Sequence, residues 1–427
     1  MNYRSLQGGE AVSFETAVRR GLAPDNGLYF PTDIPQLPAS FFEKITNLSK
    51  EEIGFEVIRP FLAPEIDDSS LLQIVTETLC FDFPLVPLDE NTAVLELFHG
   101  PTLAFKDVGA RFMSRCLAYF NKKQTSVHNT VLVATSGDTG GAVADGFLDV
   151  SGIEVAILYP EGKVSDIQER QLTTLGRNVK AFAVAGSFDD CQAMVKRAFL
   201  DSDFENLGLT SANSINVARW LPQMMYYFLA YAAVKNKNQN LAICVPSGNF
   251  GNICAGLIAK KMGLPIAHFI AATNVNDTVP RYMQTKELDP KPTIPTISNA
   301  MDVSIPSNFV RVLELFPGDT LAQLFSAVAF TDAETKVAMR DLYDTFGYVA
   351  DPHGAVGYLG LRAFQKTHPD YYGIFLETAH PIKFPDVVEE TLELKLNYPS
   401  SVQKLLDLEK KFERISTYAD LKAKLLH

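Results

Sequence analysis

The sequence predicts an α/β protein with mostly parallel sheet, and two observations predict it. From about residue 93 the chain passes through short apolar runs, AVLELF, TVLVAT, VAILYP, LAICVP, HFIAAT and YGIFLE, each followed by turn-rich sequence and several by helical spacing. These runs are near-continuous rather than alternating, which suits strands covered by helices on both faces. The chain has 427 residues, 47% of them hydrophobic, enough for a large core divided over two or three domains.

Residues 1–92 read as a separate helical N-terminal domain. Ser13 is placed to cap a helix whose Phe14, Ala17, Val18 and Leu22 recur at helical spacing. PDNGLYFP then supplies a turn and a short extended piece, and Pro84 and Pro87 mark the exit. Residues 93–384 form the core with the strand-length runs. Within it, 281–320 carry Pro290, Pro292, Pro295 and Pro306 and read as a long irregular insertion of the kind that forms lids. The tail, 385–427, reads as helices over VVEETLELKL, SVQKLLDLEKKFERI and ADLKAKLLH.

Charge narrows the class of partner. Lys and Arg number 38 against 50 Asp and Glu, a net −12, which argues against nucleic acid or an anionic membrane. Any anionic ligand must then be held by local donors. Cys80, Cys116, Cys191, Cys244 and Cys254 are scattered without a CxxC pair and read as buried thiols in a reducing compartment. The opening MNYRSLQGGE has no apolar signal core, and MMYYFLAYAAV is too short to span a bilayer. A cytoplasmic protein without a metal site, monomeric or homodimeric, is the expectation.

In an open parallel sheet, ligands bind outside the carboxyl ends of the strands. Four such ends carry unusual residues. ELFHGPTLAFKD places Lys106 among Leu103, Ala104 and Phe105, a setting where an ammonium is seldom found without a task. VATSGDTGGAVADGF sets Thr135, Ser136, Asp138 and Thr139 between a strand and a helix, where hydroxyls and amides form an anion nest. ICVPSGNFGNICAGLIAKKMG places Gly248, Asn249, Phe250, Gly251 and Asn252 before a helix, so that backbone amides can converge on one phosphate. This loop ends in neither Gly-Lys-Ser/Thr nor GxGxxG, which disfavours a nucleotide. FLETAHPIKF leaves the hydroxyl of Thr378 just beyond a strand. Each loop alone is ordinary turn chemistry. Together they supply an amine, two anion nests and a hydroxyl, the set that pyridoxal phosphate and an amino-acid substrate require.

At these residues the chain resembles the threonine synthase family, in its longer bacterial and fungal branch, within the fold type II pyridoxal-phosphate enzymes. The resemblance runs nearly end to end through SFETAVRRGLAPDNGLYFP, HGPTLAFKD, ATSGDTG, SANSINVAR, VPSGNFGN, AATNVNDTVPR and TAHPIKF. It implies two lobes of mostly parallel sheet flanked by helices. It also implies pyridoxal 5'-phosphate as cofactor, with Lys106 carrying it as a Schiff base. Gly248 to Asn252 would hold its phosphate, Thr378 would face its ring nitrogen, and Asp138 would stand near its ring hydroxyl. Thr135, Ser136 and Thr139 would surround the substrate carboxylate. Asn213, Ser214 and Arg219 of NSINVAR would take the substrate phosphate, with Lys163 of YPEGKVS as a further candidate.

The implied reaction converts O-phospho-L-homoserine and water to L-threonine and phosphate. Two other readings share parts of the pattern. A serine or threonine dehydratase or β-replacing synthase shares the lysine and the cradle but needs no second phosphate site. A non-catalytic homologue would bind phospho-amino acids without turnover. An ionised Asp138 would repel a substrate carboxylate, so it must turn away, take a proton or act on the ring hydroxyl. His353 and His380, near loop ends, read as partner or core residues that can assist proton transfer.

Overall fold

The computed structural model describes residues 1–123, 128–237 and 239–426. β1 (Tyr3–Ser5), α1 (Phe14–Arg20) and β2 (Tyr29–Pro31) open the chain, and the two strands pair antiparallel. Ser13 caps α1 as its sequence predicts: its Oγ accepts from Thr16 N at 3.1 Å, and Phe14, Ala17 and Val18 are buried. α2 (Ala39–Lys44), α3 (Lys50–Leu62) and α4 (Asp68–Thr78) follow. β3 (Leu85–Pro87) then pairs with β4 (Thr92–Glu96), so the main sheet begins inside the span read as N-terminal domain.

The core alternates as its apolar rhythm predicts. One lobe contains α5 (Lys106–Lys123), β5 (Asn129–Ala134), α6 (Asp138–Gly146), β6 (Ile153–Pro160), α7 (Asp166–Thr173), β7 (Val179–Val184), α8 (Phe188–Phe199) and β8 (Leu209–Ser211). After α9 (Val217–Trp220) and α10 (Met224–Val234), the chain builds β9 (Leu241–Pro246), α11 (Gly251–Lys261), β10 (His268–Thr273), α12 (Thr278–Thr285), α13 (Phe309–Leu315), β11 (Phe325–Ala329), α14 (Asp332–Phe346), α15 (Pro352–Gln365) and β12 (Tyr372–Glu377). These strands join the earlier ones in a sheet of order β11-β10-β9-β12-β4-β3, parallel except at β3. Every residue of β9 and β12 is buried, which is why those runs carry no polar alternation. The proline-rich insertion is less irregular than expected, since it contains the end of α12, a short 3-10 turn at Asn299–Met301 and α13.

The tail departs from the helical reading. α16 (Pro385–Leu392) and α17 (Ser400–Leu406) form, but FERI becomes β13 (Glu413–Ile415) before α18 (Tyr418–Leu426). β13 pairs parallel with Phe182, Ala183 and Val184 of β7 and completes the second sheet, β13-β7-β6-β5-β8. An open sheet edge satisfied by backbone pairing outweighs the helical spacing of a short segment. Four of the five cysteines are buried, but Cys80 is exposed, contrary to the sequence reading. No described helix is long and apolar enough to cross a membrane.

The N-terminal domain is anchored to the core by aromatic packing. Phe30 stacks on Trp220 with ring centroids 6.0 Å apart, and Trp220 is fully buried. Arg311 lies 4.8 Å from the same indole and donates to Tyr29 O at 2.9 Å. Phe30→Ala removes the stacked ring from a closed site and is expected to cost about 3–5 kcal/mol. Urea unfolding of the cofactor-free protein measures this loss.

Candidate active site

The ends of β4, β5, β9 and β12 open onto one cavity, and the backbone explains how they meet. β4 and β12 are neighbours, so the segments leaving them run side by side. Ala104 and Ala379 form an isolated bridge, Phe105 N donates to Thr378 O at 2.9 Å, and His380 N donates to Leu103 O at 3.0 Å. That pairing sets Lys106, the first residue of α5, beside Thr378 on the cavity wall. Lys106 is half-buried, lines the cavity, and makes no hydrogen bond or ion pair among the described residues. Burial lowers its ammonium below the usual lysine range, Asp138 opposes that shift, and Lys383 and Arg219 reinforce it. The Thr378 hydroxyl likewise has no protein partner among the described residues.

The glycine loop lies between β9 and α11. Phe250, at φ 61°, occupies the left-handed turn that starts α11, and no side chain caps the helix. Glycine at 248 and 251 suits either positive φ or close backbone approach, and neither residue has positive φ. Gly248 is needed for close approach instead: a Cβ there would lie 2.7 Å from Ala300 O. Asn252 is held by the Tyr227 hydroxyl at 2.6 Å, while its buried Nδ2 has no partner. An uncapped helix N-terminus beside an unpaired amide donor has the chemistry a phosphate requires.

Asp138 opens α6 at the third strand end. Its Oδ1 accepts from Lys383 Nζ at 2.8 Å and from Gln168 Nε2 at 2.9 Å. Burial alone would raise its pKa, but the ammoniums of Lys383 and Lys106 outweigh burial and hold the carboxyl well below the usual carboxylate range. Of the three alternatives in the sequence, the ion pair favours an ionised Asp138 turned toward Lys383. Thr139 lines the cavity beside it, whereas Thr135 is buried beneath the turn, its Oγ1 accepting from Gly137 N and Gly140 N at 2.9 Å each. Thr135 shapes the nest rather than entering it. Ser136 is half-buried in the same turn but does not line the cavity.

Arg219 and Ser214 also line the cavity. Arg219 is 3% exposed, donates through Nη1 to Ala212 O, and leaves Nε unpaired. No carboxylate lies within ion-pair distance among the described residues, and burial pushes its guanidinium down to about 10. Asn213 supports this segment from below, Nδ2 to Ala134 O at 3.2 Å, and does not line the cavity. Lys163 is not part of the site. It is exposed on the turn after β6, where Gly162 at φ 69° carries the chain away from the cavity, and its charge acts on Asp190.

Several contributors escaped sequence reading. Lys383 lies in the quoted TAHPIKF, yet no spacing marks it as the partner of Asp138. Ala300 and Met301 come from the proline-rich insertion and wall the cavity opposite Gly248. His353 lines it too, with Nδ1 2.5 Å from Asp351 Oδ1 and Nε2 accepting from Ala300 N at 3.1 Å, which holds that wall in place. His380 caps the following turn, accepting from Ile382 N at 3.0 Å. No cluster of described residues can hold a metal ion.

A shielded amine, an uncapped helix with a spare amide donor and an unpartnered hydroxyl fit pyridoxal phosphate at its aldehyde, phosphate and ring nitrogen. The two-lobed fold with this site defines a fold type II pyridoxal-phosphate-dependent enzyme. Family comparison agrees: residues 81–372 match the pyridoxal-phosphate-dependent enzyme family, residues 2–79 the threonine synthase N terminus and residues 354–424 the threonine synthase C-terminal domain. Threonine synthase of Buchnera aphidicola subsp. Acyrthosiphon pisum is 45% identical over 93% of each chain. The crystal structure of threonine synthase from Escherichia coli superposes with a TM-score of 0.93 at 42% identity, covering 100% of this chain and 99% of that one. Pyridoxal-phosphate-bound threonine synthase from Brucella melitensis gives 0.94 at 35% identity, covering 100% and 98%. This chain belongs to the threonine synthase family.

Gly248→Val places side-chain atoms against Ala300 O and Met301 Cα, at 2.7 and 2.9 Å for the first carbon alone. The cradle must widen, at on the order of 2 kcal/mol, or about 30-fold in cofactor Kd. Titration of the cofactor-free protein with pyridoxal phosphate measures the loss.

Proposed function

We propose that this cavity converts O-phospho-L-homoserine and water to L-threonine and inorganic phosphate. The observation that carries the reading is the second anion site: Arg219 is a buried guanidinium without a carboxylate partner, in the same cavity as Lys106 and the N-terminus of α11. A dehydratase or β-replacing synthase needs only one phosphate site. Bound pyridoxal phosphate supplies the electron sink that stabilises carbanions at the substrate's Cα and Cβ.

The protein's residues divide the remaining work. The first amides of α11 and Asn252 Nδ2 bind the cofactor phosphate. Thr378 offers the ring nitrogen a neutral hydroxyl, which leaves the ring a moderate sink suited to elimination and hydration. The amides at the start of α6, with Thr139, orient the substrate carboxylate. Arg219 binds the substrate phosphate with Ser214, and Asn213 braces that segment. Lys106 Nζ carries the cofactor and then moves protons at Cα and Cβ. Its lowered pKa keeps part of it as the neutral amine that both tasks require.

Phosphate release from O-phospho-L-homoserine, set against ketoacid formation from serine or threonine, tests the reading. Two predictions sharpen it. Borohydride reduction of the cofactor-loaded protein should leave the pyridoxyl group on Lys106, read by peptide mapping, and a label on any other lysine defeats the assignment. Arg219→Leu should lose on the order of 2–5 kcal/mol of transition-state binding, about 30- to several-thousand-fold in kcat/KM for O-phospho-L-homoserine. Its slow reaction with unphosphorylated serine should scarcely change. Equal losses on both substrates would make Arg219 structural.

A further inference from the structure

Lys383 is a charged group beside the site that does not line the cavity. It ends the 3-10 turn Pro381–Lys383 after β12 and is fully buried. Its Nζ donates to Asp138 Oδ1 and to Thr102 O, each at 2.8 Å. Asp138, by contrast, does line the cavity, and its Oδ2 makes no protein hydrogen bond among the described residues. A buried ion pair is a poor source of stability, because desolvation of both ions offsets their attraction. Packing is therefore a weak reason for this one. Position gives a better reason: Asp138 is the first residue of α6, whose N-terminus otherwise favours anions, and it shares the cavity wall with Lys106.

We infer that Lys383 is a positioning residue for the reaction: from behind α6 it compensates the charge of Asp138, so that an amino-acid carboxylate can dock beside an ionised aspartate. This rests on the reading above, in which the substrate carboxylate sits at the start of α6. The ion pair then resolves the conflict posed by an Asp in that nest. Asp138 stays charged, it is turned toward Lys383 through Oδ1, and its field at the docking site is cancelled by an ammonium on its far side. Compensation has a signature that packing lacks, because removing either partner changes the local charge in opposite senses. Asp138→Asn leaves a net positive wall and Lys383→Met a net negative one. The double variant is neutral, like the native pair.

The test is equilibrium binding of L-threonine to the holoenzyme, followed by titration calorimetry, for D138N, K383M and D138N/K383M. D138N should bind about tenfold more tightly than wild type and K383M about tenfold more weakly, each about 1.4 kcal/mol. The double variant should return to within about threefold of wild type. In the cofactor-free protein, the thermal midpoint should fall in K383M and recover in the double variant, because D138N removes the stranded carboxylate. If K383M does not fold, D138N against D138N/K383M still reads the Lys383 charge, and about tenfold is expected. Weaker binding in all three variants, or equal binding by D138N and the double, overturns the inference. Wild-type phosphate release from O-phospho-L-homoserine is measured alongside, and its absence would sink the parent reading without touching the charge pattern in the cofactor-free protein.

Discussion

The antiparallel contact between residues 103–105 and 378–380 is the constraint on which the site depends. It is short: one bridge, Ala104 to Ala379, with hydrogen bonds from Phe105 N to Thr378 O and from His380 N to Leu103 O. Its effect is to join the ends of two neighbouring parallel strands after both have left the sheet. Lys106 starts a helix at one side of this contact and Thr378 ends a strand at the other. Both side chains therefore face one cavity from backbone that cannot slide independently. Lys383 belongs to the same turn system and reaches Thr102 O across it, so the contact also fixes the cation behind Asp138. A catalytic amine held this way is positioned by peptide hydrogen bonds rather than by a flexible loop.

Around that contact the chain buries charge of both signs, Asp107, Asp138 and Glu377 beside the cations. Lys106, Arg219 and Lys383 all stand within one region, and Arg311 lies behind Asn308, whose Nδ2 reaches Ser214 Oγ at 3.4 Å. Arg311 is fully buried, has no carboxylate partner among the described residues, and is pushed down to about 9 by burial. Its donors go to backbone oxygens of Tyr29 and Ile215, which ties the N-terminal domain to the segment carrying Ser214. Buried cations satisfied by neutral oxygens keep their charge available to a ligand, whereas a salt bridge would spend it internally.

Much of this was legible in the sequence, and for physical reasons. The six continuous apolar runs became buried parallel strands, because strands covered on both faces tolerate no polar alternation. Ser13 capped its helix because cap chemistry is local. Lys106, the glycine loop and Thr378 converged because strand ends in a parallel sheet share one side, whereas Arg219, on α9, was marked by the family resemblance alone. Failures came where a long-range contact overrode a local signal. FERI carried helical spacing but met the open edge of β7. Lys163 sat in a strand-end motif, but its side chain is exposed on the turn after β6 and does not line the cavity. Phe250 took the left-handed angle that its glycine neighbours advertised, since the turn geometry and the packing of its ring on Phe309 hold it there. The partnership of Lys383 and Asp138 was invisible, as the two residues are joined only by the folded crossing of two lobes.

The identity of the residue at position 138 shows how charge, packing and chemistry constrain one another. A neutral Asn there would need no counter-ion, and Lys383 would then be a stranded buried cation. Asp138 without Lys383 would be a stranded buried anion facing an incoming carboxylate. Either half alone is unfavourable, so the two positions are interpretable only as a pair. Gln168 and Gln171 complete the arrangement with neutral donors, Gln168 to Asp138 and Gln171 to Thr102 O at 3.0 Å, the oxygen that Lys383 also binds. The network thus spans α7, α6, the segment before α5 and the turn after β12, elements from both lobes.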